Sequence, residues 1–273
     1  MQPLSPRKRR IYLYSLILLF FVLFPIIILF AAGYRFKGEI GFVKTGGIYL
    51  AVPYSGALVS MNGEEIGESG LLKKSFYIGD LSPGAYILQV TREGDYPWHR
   101  TLIVESQLVT DADILLVSED PDVVELSFDP KAATTTRHIS KAAYDEYLLA
   151  FDEPAPTTTP ETPRGILSLE QGNVFLRWTD IDNSPSSFYC TQPSKCVTEI
   201  PIETSKQNTI AVGFFGGGIV YATQEAGIFV TEGDVRPTEV FAPLYPVRGA
   251  TFRIISGHLI VKDGKKLYEI QRL

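Results

Sequence analysis

The sequence predicts a mainly β protein: one N-terminal transmembrane helix, a small antiparallel β-sandwich, then a second, irregular or propeller-like β domain. Three observations carry this reading. Ile11 to Ala32 is an apolar run without a single charge. After Gly33 the apolar residues recur with a period of two, in short runs divided by Gly, Pro, Ser and Asx-Gly pairs, which is the pattern of half-buried strands. No second run approaches the first in length or apolarity.

At about 1.5 Å of rise per residue, a helix over 11–32 crosses a hydrocarbon core of roughly 30 Å. Pro25 falls inside it, and a membrane helix tolerates a proline kink better than a soluble helix does. A cleaved signal peptide is the competing reading: the basic flank is there and Ala31-Ala32-Gly33 resembles a cleavage site, but the apolar core exceeds the roughly 7–15 residues of such a segment. Orientation follows from Arg7, Lys8, Arg9 and Arg10, which outweigh Arg35, Lys37 and Lys44 beyond the run. The sequence therefore predicts a single-pass protein of the cell membrane, with residues 1–10 as a cytoplasmic basic tail and the remainder extracytoplasmic. Tyr12 and Tyr14 at one end, and Tyr34 and Phe36 at the other, suit the two aromatic belts.

The chain has 25 basic and 31 acidic residues, and without the basic tetrad the exported part keeps 21 against 31. Such an acidic exterior argues against nucleic acid as a partner. Residues 33–45 read as a tether and 46–122 as the sandwich. Its period-two runs include Ile48/Leu50/Val52, Ala57/Val59/Met61, Phe76/Ile78, Tyr86/Leu88/Val90, Leu102/Val104 and Ile114/Leu116. Asn62-Gly63 supplies a tight hairpin turn, because both residues tolerate positive φ.

Several motifs here resemble those of the PEGA domains of bacterial and archaeal surface proteins. Pro53…Gly56-Ala57-x-Val59…Asn62-Gly63…Ile66-Gly67 is similar to that family's first hairpin. Leu81-Ser82-Pro83-Gly84-Ala85-Tyr86 is similar to its central turn and following strand, and Arg92-Glu93-Gly94-Asp95-Tyr96-Pro97-Trp98 to a later turn. The likeness covers roughly residues 46–117. It departs at Tyr54-Ser55, which lengthens the first loop by one residue, at Ser69-Gly70 in place of a Thr-Pro pair, and at Asp95. The resemblance implies a small β-sandwich that serves as an envelope interaction module and carries no catalytic residues. Tyr96 and Trp98, flanking Pro97, are the candidate partner-binding aromatics, either stacking on a sugar ring or a partner or plugging one end of the sandwich.

Residues 123–164 read as connecting strands and a loop. Lys131 to His138 is polar and Thr-rich. Tyr147–Phe151 is expected as a strand, against the alternative of a helix from Ser140 to Phe151 with Ser140 as its cap. Asp152–Arg164, with four prolines and a threonine run, is expected to be an unpacked, exposed loop. From Gly165 to Leu273 short strands resume, among them Val174–Trp178, Ser187–Cys190, Thr209–Phe214, Ile219–Ala222, Ile228–Thr231, Thr238–Phe241, Thr251–Ile255, Leu259–Lys262 and Leu267–Ile270. Gly217-Gly218-Ile219-Val220-Tyr221 followed by Gly227-Ile228-Phe229-Val230 is echoed, about 40 residues on, by Gly257-His258-Leu259-Ile260-Val261 followed by Leu267-Tyr268-Glu269-Ile270; that offset is propeller-blade spacing. A closed propeller needs at least four blades of about 40–45 residues, so closure is not expected.

Little catalytic chemistry is visible. Cys190 and Cys196, on the side assigned to an oxidising compartment, are expected to form a disulfide rather than a zinc site or a redox pair. His99, His138 and His258 fall in no metal spacing or nucleophile pattern. The Gly216-Gly217-Gly218 run has no helix after it to complete an anion site and reads as a turn. Asp111, Asp113, Glu119, Asp120 and Asp122 lack the spacing of a calcium loop. No catalytic, cofactor-binding or metal residues are assigned, and no cofactor is expected. The expected function is a non-enzymatic, membrane-anchored envelope protein. Its exported domains act as spacer, adhesion or interaction module for wall polymer or an envelope protein. The alternative is an extracytoplasmic hydrolase of glycan or peptide.

Overall fold

The computed structural model describes residues 5–38, 41–129, 136–204, 208–236 and 241–273. The apolar run is helical throughout: α1 spans Pro6–Ala31, with Pro6 in the first turn and Pro25 inside, and no residue of it is buried by the rest of the chain. A 26-residue helix is about 39 Å long, and its most apolar 18 residues, with a mean hydropathy of 2.9, make it apolar enough to span a membrane or to serve as a signal sequence.

The stretch expected as a tether is instead a hairpin, β1 (Tyr34–Lys37) with β2 (Gly41–Lys44), in which Phe36 and Phe42 are cross-strand partners. It is tied to its surroundings. Arg35 donates to the Phe30 carbonyl at 3.0 Å and pairs with Asp80 at 2.9 Å. The Thr45 N–H bonds the Gly33 carbonyl, and the Gln107 amide donates to the Ala32 carbonyl at 3.3 Å. The end of α1 is thereby fixed to the first β unit.

That unit contains β3 (Gly46–Ala51), β4 (Leu58–Met61), β5 (Glu64–Glu68), β6 (Ser75–Leu81), β7 (Gly84–Thr91), β8 (Trp98–Val104) and β9 (Val109–Asp113). They form two sheets, ordered β6-β3-β9 and β5-β4-β7-β8. Period-two patterning puts Ile48, Leu50, Val59, Leu88, Val90 and Leu102 in one core between them. One pairing departs from an all-antiparallel sandwich: β9 runs parallel to β3. The Asn62-Gly63 turn is as expected, both residues at positive φ, with the Asn62 side-chain oxygen accepting from the Ile87 N–H at 2.9 Å.

The second unit begins with β10 (Val123–Ser127) and β11 (Arg137–His138), followed by α2 (Lys141–Leu149). Here the expected strand over Tyr147–Phe151 gives way to the helical alternative. Ser140 caps α2 by accepting from the Ala143 N–H, and Tyr144, Tyr147, Leu148 and Phe151, at helical spacing, pack on Leu126, Ile260 and Leu267. Replacing Ser140 with Ala is expected to cost about 1 kcal/mol in denaturant unfolding, the loss of one cap.

The rest is β12 (Ile166–Glu170), β13 (Asn173–Arg177), β14 (Cys190–Gln192), β15 (Lys195–Cys196), β16 (Glu199–Ile202), β17 (Thr209–Phe215), β18 (Gly218–Thr223), β19 (Gly227–Thr231), β20 (Phe241–Tyr245), β21 (Thr251–Ile255), β22 (His258–Asp263) and β23 (Lys266–Ile270). Ser187–Tyr189, expected as strand, is a single 3-10 turn. Most of the expected strand Thr238–Phe241 lies outside the described residues, as does most of the Thr-rich stretch before His138. Three blade-like sheets result, ordered β12-β13-β16, β17-β18-β19-β20 and β11-β10-β23-β22-β21. The repeat near 40 residues is real in space: β17-β18-β19 and β21-β22-β23 are equivalent meanders. Three sheets do not close a ring.

Burial follows the stacking. Along β18 every residue is buried: Ile219 and Tyr221 enter the core shared with the first sheet, and Val220 and Ala222 enter the core shared with the third. That is the continuous apolar run of a strand covered on both faces. The proline- and threonine-rich segment is also not free. The Thr159 N–H and the Thr157 carbonyl bond Leu167 and Leu169 of β12, because Pro156 and Pro160 flank a short stretch that keeps its own donors.

Candidate functional site

The two β units meet along a seam built from β8. Its burial alternates strictly, with Trp98, Arg100, Leu102 and Val104 inward, so the pleat that buries Leu102 also carries a guanidinium inward. Arg100 pairs with Glu232 and with Asp234, which follow β19 in the second unit. The Trp98 indole N–H donates to Glu232 at 2.8 Å, and the Leu115 N–H to the same oxygen at 3.1 Å. Arg236 completes the cluster, bonding Asp234 at 2.9 Å through its Nε and the Asp111 carbonyl at 2.9 Å. Burial pushes the Glu232 carboxyl up, against the opposing pull of Arg100.

Residues 114–117 stitch the two cores together. Ile114 and Leu116 point into the first, and Leu115 and Val117 into the second. One extended segment thus serves both units with its two faces.

A cleft of about 340 Å³ opens over this cluster, walled by both units. Tyr54 and Lys74 stand on one side, Arg164 and Phe188 on the other, with Arg100 among the residues at its base. Arg164 stacks over Phe188, its carbon centre 5.4 Å from the ring centroid, and lies 3.9 Å from Asp113. Burial raises the Tyr54 hydroxyl above its ordinary range.

The second candidate surface is the outer face of the β6-β3-β9 sheet. Tyr49 and Tyr77 are cross-strand partners there, 41% and 66% exposed. The Tyr77 ring lies across Gly47 and Gly79, where an added Cβ would come within 3.0 Å of ring atoms. The two glycines thus make room for the ring against the sheet, and the residue stays largely exposed.

The residues singled out from the sequence sort as follows. Trp98 is wholly buried and Tyr96 packs against the second core. Neither is an outward platform, so the expectation of partner-binding aromatics at these positions is corrected in favour of the structural alternative: Trp98 lies in the first core with its N–H on Glu232 of the second unit, and Tyr96 packs on the second core. Cys190 and Cys196 are bonded to each other across the β14–β15 hairpin. Replacing both with Ser is expected to cost about 2 kcal/mol by the loop-closure estimate for so short a loop, read as a lower denaturation midpoint. Arg7, Lys8, Arg9 and Arg10 occupy the first turns of α1. Among the described residues, no group of three or more His, Cys, Asp or Glu could hold a metal ion.

The cleft and the Tyr49/Tyr77 face were not legible in the sequence. Tyr77 sits in an ordinary period-two run, and only the Gly-x-Tyr-x-Gly arrangement across two strands distinguishes it. Compared with known proteins, the chain matches no family profile and no curated protein.

Proposed function

We propose that this is a membrane-anchored, non-enzymatic binding protein of the cell envelope, which presents a rigid two-unit β ectodomain to wall glycan. The observation that carries this reading is the Tyr77 ring, lying across Gly47 and Gly79 beside Tyr49 and largely exposed. An exposed aromatic held in place in this way offers contact area at low entropic cost, and its face suits the C–H face of a sugar ring. The remaining parts agree. The basic tetrad before α1 favours a cytoplasmic N-terminus and an exported remainder, and the Cys190–Cys196 bond suits an oxidising compartment. The hydrogen bonds from Thr45 and Gln107 to the end of α1 would set the ectodomain at a fixed pose on the membrane. A β-sandwich over 46–117 is what the PEGA resemblance implies.

The test is retention of the full-length protein, in detergent micelles, on isolated wall polymer. The wild type is expected to be retained and Tyr77→Ala to be lost to the unbound fraction, with unchanged circular dichroism. Equal retention of Tyr77→Ala, or none by the wild type, would remove the glycan reading. Release of soluble sugar or peptide from the polymer would replace it with the hydrolase alternative.

A further inference from the structure

The cleft at the seam has a character that the Tyr49/Tyr77 face does not explain, and it is lined by none of that face's residues. Arg100 is 2% exposed, and its Nε–H has no hydrogen-bond partner among the described residues. A buried charged donor left unmade costs free energy, and native structures rarely leave one so. The other two cations of the cleft come from opposite units: Lys74 from the strand-joining loop before β6, and Arg164 from the segment before β12.

The acids do not neutralise this set. Glu232 is committed to Arg100, Trp98 and the Leu115 N–H. Asp234 is committed to Arg100 and Arg236. The remaining acid of the cleft, Asp113, is 3.9 Å from the Arg164 guanidinium with its side chain 64% exposed. With Arg236 counted behind the lining, four cations meet three carboxylates, a surplus of one positive charge at a concave site on a chain whose formal net charge is −6. Two aromatic walls, Tyr54 and Phe188, complete it. Convergent polar groups among apolar walls at the junction of two units are the usual composition of a small-ligand site.

The geometry points to this cleft as a binding site for a small ligand that carries a compact anionic group, a carboxylate or a phosphate, on an apolar body. The anion would sit between Lys74 and Arg164 and take the Arg100 Nε–H, and the apolar body would lie between Tyr54 and Phe188. Arg164 is held by its stacking on Phe188 and by its Nη1 bond to the Gly217 carbonyl, which leaves Nε and Nη2 for such a group, and Lys74 adds a mobile point charge.

The experiment uses the full-length protein in detergent micelles with phenyl phosphate, N-acetylphenylalanine and the neutral benzyl alcohol as probes, at constant ionic strength, read by saturation-transfer NMR and by the shift in melting temperature. Binding of either anion, with no response to benzyl alcohol, is the expected result. Phenyl phosphate alone would identify the group as phosphate, and N-acetylphenylalanine alone as carboxylate. Lys74→Met and Arg164→Met are each expected to weaken the bound anion about tenfold, the size of one charge-assisted contact. Lys74 is exposed and takes no part in the buried cluster, so its variant tests the site even if Arg164→Met is poorly folded. Tyr77→Ala should leave anion binding unchanged, which separates this site from the wall-binding face. No binding of either anion, or binding that both Met variants leave intact, would overturn the assignment.

Discussion

Arg100→Met is expected to destabilise the protein by about 3–5 kcal/mol, the usual cost of removing one partner from a buried ion pair. The size follows from what is left behind. Glu232 would keep only the Trp98 and Leu115 N–H groups, and Asp234 would keep Arg236; the two side chains are 7% and 6% exposed. Adding Glu232→Gln should restore part of the loss, because a neutral amide oxygen still accepts from Trp98 and Leu115 while no charge remains unpaired. A coupling of about 1–3 kcal/mol between the two substitutions is therefore expected in a double-mutant cycle. Calorimetry adds a second readout. The seam joins the units through the ion cluster and through residues 114–117, so the wild-type β units should unfold in one transition, and Arg100→Met should broaden or divide it. Equal melting of wild type and variant would mean that the cluster does not couple the units.

Trp98→Ala is expected to cost about 3–5 kcal/mol, in the range for deleting a large aromatic from a core. The indole fills space next to Leu102 and Leu116 in the first core, and its N–H supports Glu232. Trp98→Phe keeps most of the volume and loses the donor to a buried carboxylate, so about 2 kcal/mol is expected for it. Both are read as denaturant midpoints with unchanged slope. The two substitutions separate packing from hydrogen bonding. A variant as stable as the wild type would show that the indole is not part of the core, and would return it to consideration as a surface aromatic.

Local and long-range determinants of this fold separate along a physical line. Local chemistry was readable from the chain: the charge-free run that became α1, the Asn62-Gly63 turn, the cysteine pair, and the period-two strands of both units. The near-40-residue echo also marked two equivalent hairpins, β18-β19 and β22-β23, which the fold extends to meanders with β17 and β21. Each of these depends on neighbours within a few residues or on a repeated local pattern. The misreadings came where long-range burial overrides local preference. Tyr144, Tyr147, Leu148 and Phe151 spell a strand as readily as a helix until the free face of the third sheet is there to cover. Thr157–Thr159 looks like open linker until the edge of β12 stands beside it.

The same limit hid the candidate surfaces. Alternation along β8 announces that Trp98 and Arg100 face one way, yet nothing local says that Glu232 and Asp234, more than 130 positions on, will meet them there. Seen alone, Trp98 beside Pro97 reads as an exposed platform, whereas the fold buries it and sets Tyr77 outward on two glycines. The sequence by itself determined the membrane-length helix, the β character and the sites of tight turns, because hydropathy, periodicity and positive-φ preferences act within short spans. Only the tertiary structure decided which charges are buried, which aromatics are exposed and where a cleft opens, because those depend on how distant strands pack together.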